Sequence, residues 1–345
     1  MCIYFGNDNK LTYETREHIL PAALGCHTKL EKGVVSDQAN RYFSPIERDV
    51  IEHSFIQMPR IIQGPGKRGK LSPQHATTSE VSVIRFCDRY GLGYMKGTSG
   101  FLLNQFIIDE KGSIQFHFQN TEMSDFQTEM ETLKRQIMGM GEKYVPVTMP
   151  EGDENIYITF FKKKVHIGYR KCLSDLQIDK IKEMFKADFA LKEHHSECGQ
   201  IQATIEIISD FRGISILAAK SAINTLAFIK GKEYIINTDD FCPIRSAIFS
   251  DNDKILNYVS GISPQAVPEM RRSLHLTDDQ QACILVSKGK KLSAWVIFYD
   301  FCFVVDLCNT LTEPFDKIMD GIVCDWKKST DYLYTEYLQH IGIVI

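Results

Sequence analysis

The chain has 345 residues, 43% of them hydrophobic and 24% charged, which excludes a disordered, charge-dominated polymer and leaves room for roughly two domains, each with its own core. A formal net charge of −4 excludes a global basic field, so contact with a polyanion has to come from a local basic surface. The ten cysteines form no CxxC pair and the residues after Met1 soon turn polar, so a reduced cytoplasmic protein without an export signal is expected.

Residues 1–58 predict a compact module: an extended start, a turn at Gly6-Asn7-Asp8-Asn9, a central segment at 17–24, and a helix from about Gln38 to His53. Tyr42, Phe43, Ile46 and Val50 give that helix an apolar stripe, with Pro45 expected in its first turn or two. Gly64, Pro65, Gly66, Gly69 and Pro73 then punctuate a connection at 59–80, where the domain boundary is placed. Beyond it, 81–345 reads as one larger region. Strands are expected at 80–86, 100–109 and 113–118, the last two forming a hairpin, followed by a polar helix at 123–140. A second hairpin is expected from 155–161 and 163–169, then a helix at 174–185 and a strand at 200–209. The Ala- and Ile-rich stretch 214–229 predicts a buried helix ended by Gly231, with Ala218, Ala219, Ala222 and Leu226 as its core stripe. Strands at 282–287 and 292–299 flank Lys288-Gly289-Lys290-Lys291. The apolar runs at 214–229 and 294–303 read as too short or too interrupted to cross a bilayer, so no membrane is expected. The order of elements predicts an α+β fold with antiparallel sheet, not a doubly wound one.

The chemistry-bearing segment is Glu17-His18-Ile19-Leu20-Pro21, followed by Leu24-Gly25 and then Asn40-Arg41-Tyr42-Phe43 at the start of the helix. A one-metal phosphodiesterase site needs these groups. A neutral His18 imidazole takes a proton from water, while the Glu17 carboxylate and the Asn40 amide oxygen hold a hard cation. Glu47 lies two helical turns after Asn40 on the same face and reads either as an assisting group or as a solvated carboxylate. His27, after Cys26, is a second assisting candidate, and His53 reads as a surface histidine. Lys67, Arg68 and Lys70 stand in a glycine-rich run without P-loop spacing. They suit a phosphate backbone or a solvated linker, and with Arg41 and Arg60 they form the candidate DNA-tracking surface. His194-His195-x-x-Cys198 reads as a polar loop without a partner pair.

Residues 2–50 carrying these motifs resemble the HNH (His-metal finger) endonuclease family. The resemblance implies a ββα-metal nuclease module at 1–58, with His18 as the base and Glu17 and Asn40 as ligands of one Mg²⁺ or Mn²⁺. The family's middle asparagine, which orients the histidine, has no convincing counterpart here; a backbone carbonyl within 32–34 could do the same job, and the sequence leaves the point open. Many members also carry a four-cysteine zinc site. The corresponding positions here are Cys2-Ile3-Tyr4-Phe5 and Ser36-Asp37-Gln38-Ala39, so three of four thiolates are absent and no structural zinc is expected there. Apolar Phe5 and Ala39 suggest that packing replaces the metal.

By resemblance, then, the chain is expected to be a divalent-metal-dependent DNA endonuclease, with restriction or anti-phage defence suggested by family analogy. One such site cuts one strand at a time, so double-strand cleavage would need a homodimer or successive nicks. The region 81–345 would position substrate, oligomerise, or sense an activating partner or ligand. Two alternatives stay open: a non-catalytic nucleic-acid-binding or assembly protein on a degenerate scaffold, and an RNA nuclease.

Overall fold

The computed structural model describes residues 1–6, 9–65, 79–86, 89–96, 99–117, 125–139, 144–170, 181, 183, 185, 194–195, 203–206 and 209–343. They form an α+β protein with antiparallel sheets. Its two compact units are Met1–Thr77 with Ser209–Ile345, and Thr78–Ile208. Where the sequence predicts one region over 81–345, the fold returns residues 209–345 to the unit that holds the N-terminus.

In the first unit, the N-terminal helix Asp37–His53 starts at Ser36, whose side chain accepts the Ala39 N–H at 3.3 Å, with Asp37 in the first turn. Both features suit the positive end of the helix dipole. Pro45 is the ninth residue of this helix, deeper than expected. Its missing N–H frees the carbonyl of Arg41, a residue open to water. Among the described residues, 1–58 hold two isolated antiparallel bridges, Cys2 with Gly6 and His18 with Lys29, in place of longer strands.

The apolar stretch expected at 214–229 becomes the 20-residue core helix Phe211–Lys230, capped by Asp210, which accepts from the Arg212 and Gly213 N–H groups at 2.9 and 3.0 Å. By length and composition it could cross a membrane, yet 83% of its 18-residue apolar window is buried inside the protein. A helix apolar on all sides is a core element here. It packs on a six-stranded antiparallel sheet, in spatial order Val259–Gly261, Phe301–Cys308, Lys291–Phe298, Gln280–Lys288, Met319–Asp325 and Thr330–Leu333. The hairpin expected at Lys288–Lys291 turns at Gly289, whose φ of 63° favours glycine. Cys2, Ile3, Leu20, Leu24 and Phe43 from the N-terminal segment share one core with Ile216, Ala219 and Ile223 of the helix and Val296 and Val305 of the sheet. The N-terminal segment, too small to bury its own apolar side chains, uses the C-terminal half as its floor.

The second unit holds a four-stranded antiparallel sheet, ordered Ala203–Glu206, Ser82–Phe86, Arg89–Lys96, Ser99–Leu102, and a six-stranded mixed sheet. The latter runs Val145–Thr148, Lys164–Tyr169, Ile156–Phe161, Gln105–Ile108, Ile114–His117, His194–His195. The strand expected at 100–109 is split between the two sheets. Buried Gln105 explains the break, because its side-chain amide accepts the Leu92 N–H at 2.8 Å and donates to the Leu103 carbonyl at 3.0 Å, taking the place of a backbone ladder. The polar helix is Phe126–Met138, capped by Asp125. The helix expected at 174–185 lies, apart from 181, 183 and 185, outside the described residues, as does Cys198.

Candidate functional site

The Glu17-His18 dipeptide is held from both sides. On one side its backbone pairs with residues 28–30: the Leu30 N–H donates to the Glu17 carbonyl at 2.8 Å, and the Ile19 N–H to Thr28 at 3.1 Å. Arg16 reinforces the pairing by donating from Nε to the Leu30 carbonyl at 2.9 Å. On the other side, Asn224 of the core helix donates from Nδ2 to the His18 carbonyl at 3.0 Å. Asn224 is itself fixed by the Tyr4 hydroxyl, which donates to Oδ1 at 2.8 Å.

One helical turn earlier stands Lys220, whose side chain is only 3% exposed. Its Nζ lies 2.5 Å from one oxygen of Glu17 and 2.5 Å from one oxygen of Glu47, and 5.2 Å from the centre of the Phe43 ring. Burial alone would pull the Lys220 pKa down, but the two carboxylates outweigh it and the net direction is up, so the ammonium stays charged. Burial raises the Glu17 carboxyl, and Glu47 adds to that, against the lowering by Lys220. The His18 imidazole is held down to about 4, first by burial and then by the Lys29 charge, with Glu47 pulling the other way. His18 is therefore held neutral across the ordinary pH range, with its ring nitrogen lone pair free but its basicity reduced by the same burial.

Glu17, His18, Glu47, Arg48, Glu52 and Arg60 line one cavity of about 270 Å³. Arg60 is tethered there by donating from Nε to the Ala23 carbonyl at 3.1 Å. Asn40 is not among the lining residues. Its Nδ2 donates to Thr15 Oγ1 at 2.8 Å, and its Oδ1 is buried without a partner among the described residues. His27 and Arg41 are exposed and outside the cavity, and Lys67, Arg68 and Lys70 lie outside the described residues. His53 pairs with Asp49 at 3.0 Å on the surface.

The Val34 carbonyl, within the stretch expected to orient the histidine, accepts the Ile3 N–H at 3.0 Å instead, and neither ring nitrogen of His18 has a hydrogen bond among the described residues. At the positions of the absent zinc site, buried Cys2 accepts through Sγ from the N–H groups of Ser36 and Tyr4 at 3.4 and 3.5 Å. Ala39 is fully buried, and Phe5, partly exposed, packs its ring 4.7 Å from that of Phe249.

A hard divalent cation would draw on the carboxylates of this cavity. Glu17 and Glu47 both line it, each keeps a second carboxylate oxygen beyond the one given to Lys220, and the neighbouring imidazole is neutral. Glu47 lines the cavity, and Asn40 does not. Sequence reasoning missed Lys220 and Asn224. The available signal was two long polar side chains four residues apart in an otherwise apolar helix, where each must find a partner. Compared with protein-family models, curated proteins and solved structures, the chain matches none.

Proposed function

We propose that this cavity binds a phosphodiester of DNA and hydrolyses it, with His18 as the base. The observation that carries the reading is the pair of carboxylates, Glu17 and Glu47, clamped by one buried ammonium beside a neutral imidazole in a cavity. An imidazole nitrogen of His18 accepts the proton of the attacking water. Glu17 and Glu47 would hold one Mg²⁺ or Mn²⁺, which when bound supplies Lewis-acid polarisation and charge neutralisation at the phosphate. Lys220 fixes both carboxylates before substrate arrives, so the site needs little reorganisation. Arg48 and Arg60 add positive charge to the cavity wall, where phosphate oxygens are the natural partners.

A non-catalytic nucleic-acid-binding or assembly protein is the second reading. Lys220 is also the observation that favours it, because the ammonium already neutralises part of the charge that would attract a metal. Nicking of supercoiled plasmid separates the two, using wild type and His18→Ala in Mg²⁺ or Mn²⁺ and in EDTA, with a matched RNA substrate in parallel. The proposal expects metal-dependent nicking of DNA that is lost in His18→Ala. DNA retention with no cutting, unchanged in EDTA and in His18→Ala, would establish the binding protein instead, and preferential cutting of RNA would reassign the substrate.

A further inference from the structure

A second cluster lies where the loop after Leu24 meets the edge strand of the six-stranded sheet. Cys26, Cys324 and Asp331 bring two sulfurs and a carboxylate oxygen within 4.8 Å of one another. The sheet sets two of the three donors, since Cys324 in Met319–Asp325 and Asp331 in Thr330–Leu333 are direct cross-strand partners. The third arrives through the turn Ala22–Leu24 and Gly25. At Gly25, φ is 99° and a Cβ would fall 2.2 Å from Trp326 Cβ, so only glycine lets the loop approach this closely.

The Asp331 carboxylate is gripped and yet incomplete. Its Oδ2 accepts from the His27 N–H at 2.8 Å, the Thr28 N–H at 2.6 Å and the Thr28 hydroxyl at 2.7 Å, and faces Cys26 Sγ at 3.7 Å. Its Oδ1 is buried and has no partner among the described residues. A buried carboxylate oxygen without a donor is costly, and a cation beside it removes that cost. Both sulfurs are buried as well, Cys26 at 2% exposure and Cys324 at 0%.

We infer that Cys26, Cys324 and Asp331 form a binding site for a thiophilic divalent metal of the zinc class, with two thiolates and one carboxylate oxygen as ligands and the fourth position left to water. On binding, each thiol loses its proton to solvent and no electron moves. Thiolate donors select zinc or cobalt over magnesium. A Cys26–Cys324 disulfide is the competing chemistry, but it needs an oxidant and leaves Asp331 Oδ1 stranded. The metal braces the residues on which the base rests, since Thr28 accepts the Ile19 N–H and Lys29 bridges to His18. The inference does not depend on what reaction the cavity performs.

The test uses the reduced full-length protein, stripped with chelator, loaded with Co²⁺ and dialysed. Thiolate-to-metal charge-transfer absorption is expected, which Zn²⁺ abolishes and Mg²⁺ leaves intact, while Co²⁺ held by the cavity carboxylates adds no such band. Glu17→Gln retains the band, which separates this site from the cavity. Cys324→Ser loses it, and Asp331→Asn, whose shape is kept, binds at least about tenfold more weakly. Absence of the band in wild type, an unchanged band in Cys324→Ser, or unchanged affinity in Asp331→Asn overturns the site, and the last decides alone if Cys324→Ser does not fold. A Cys26–Cys324 disulfide that forms equally with Zn²⁺ present also overturns it.

Discussion

Residues 1–58 carry most of the side chains that face the cavity, while the core helix Phe211–Lys230 carries those that hold them in place. Among its described residues the first region is short of regular structure, with two bridges, a single turn of 3₁₀ helix and one long helix. The second is continuous, buried over 15 consecutive residues, and interrupted in polarity at Ser215, Lys220, Ser221, Asn224 and Thr225. Two of those polar groups reach the Glu17-His18 dipeptide. Outside the helix, Arg245 holds the Ile3 carbonyl at 2.9 Å and Asp331 holds the Thr28 hydroxyl at 2.7 Å. The difference teaches that a small reactive segment keeps its geometry by lying on a core that it does not build.

The hardest way to break this division is to remove the floor. A fragment of residues 1–65 is expected to show the far-UV circular dichroism of an unfolded chain, because a segment of that size with few strands buries too little apolar surface alone. Helical signal with a cooperative thermal transition in the fragment would refute the dependence. Lys220→Met leaves two partly buried carboxylates facing each other without their cation. It is expected to destabilise the intact protein by about 3–5 kcal/mol in urea denaturation.

His18→Ala sharpens the comparison from the other side. It should lower the hydrolysis rate by about 10²- to 10⁴-fold, with the urea midpoint close to that of wild type. Gly25→Ala is expected to cost about 2–4 kcal/mol, since it adds a Cβ against Trp326 in a left-handed backbone.

The smallest effect is that of pH. The unfolded chain takes up a proton at His18 near the ordinary 6.5, which the folded protein refuses until about 4. The stability from keeping this imidazole neutral is therefore present above pH 6.5 and lost as pH falls through about 4. The acid limb of the rate should accordingly have its midpoint near 4. A midpoint near 6.5 would show that His18 is not held in this environment.

Local signals were legible in the sequence and distant ones were not. The helix Asp37–His53 could be read from the stripe of Phe43 and Val50, and the Gln280–Lys288 hairpin from Gly289, because stripe and turn act within a few residues. The sequence grouped Glu17 and His18 with Asn40 and set Arg60 on a separate basic surface, whereas in the structure Glu17, His18, Glu47 and Arg60 line one cavity and Asn40 turns to Thr15. Asn40 and Glu47 lie on one helix face, and spacing alone does not choose between them. The break at Leu103 and Asn104 depends on where Gln105 finds partners, which is set by Leu92 in another strand. Lys220 and Asp331 were out of reach for the same reason, as their partners lie 203 and 303 residues away.

The central claim, that the candidate site is held across the two regions, is tested most directly by a double-mutant cycle between Glu17 and Lys220. Urea denaturation of Glu17→Gln, Lys220→Met and the double variant gives the coupling. The account predicts an interaction of about 1–3 kcal/mol, with the double variant less destabilised than the sum of the single ones. Additivity within about 0.5 kcal/mol would contradict it, since residues that do not share an interaction add.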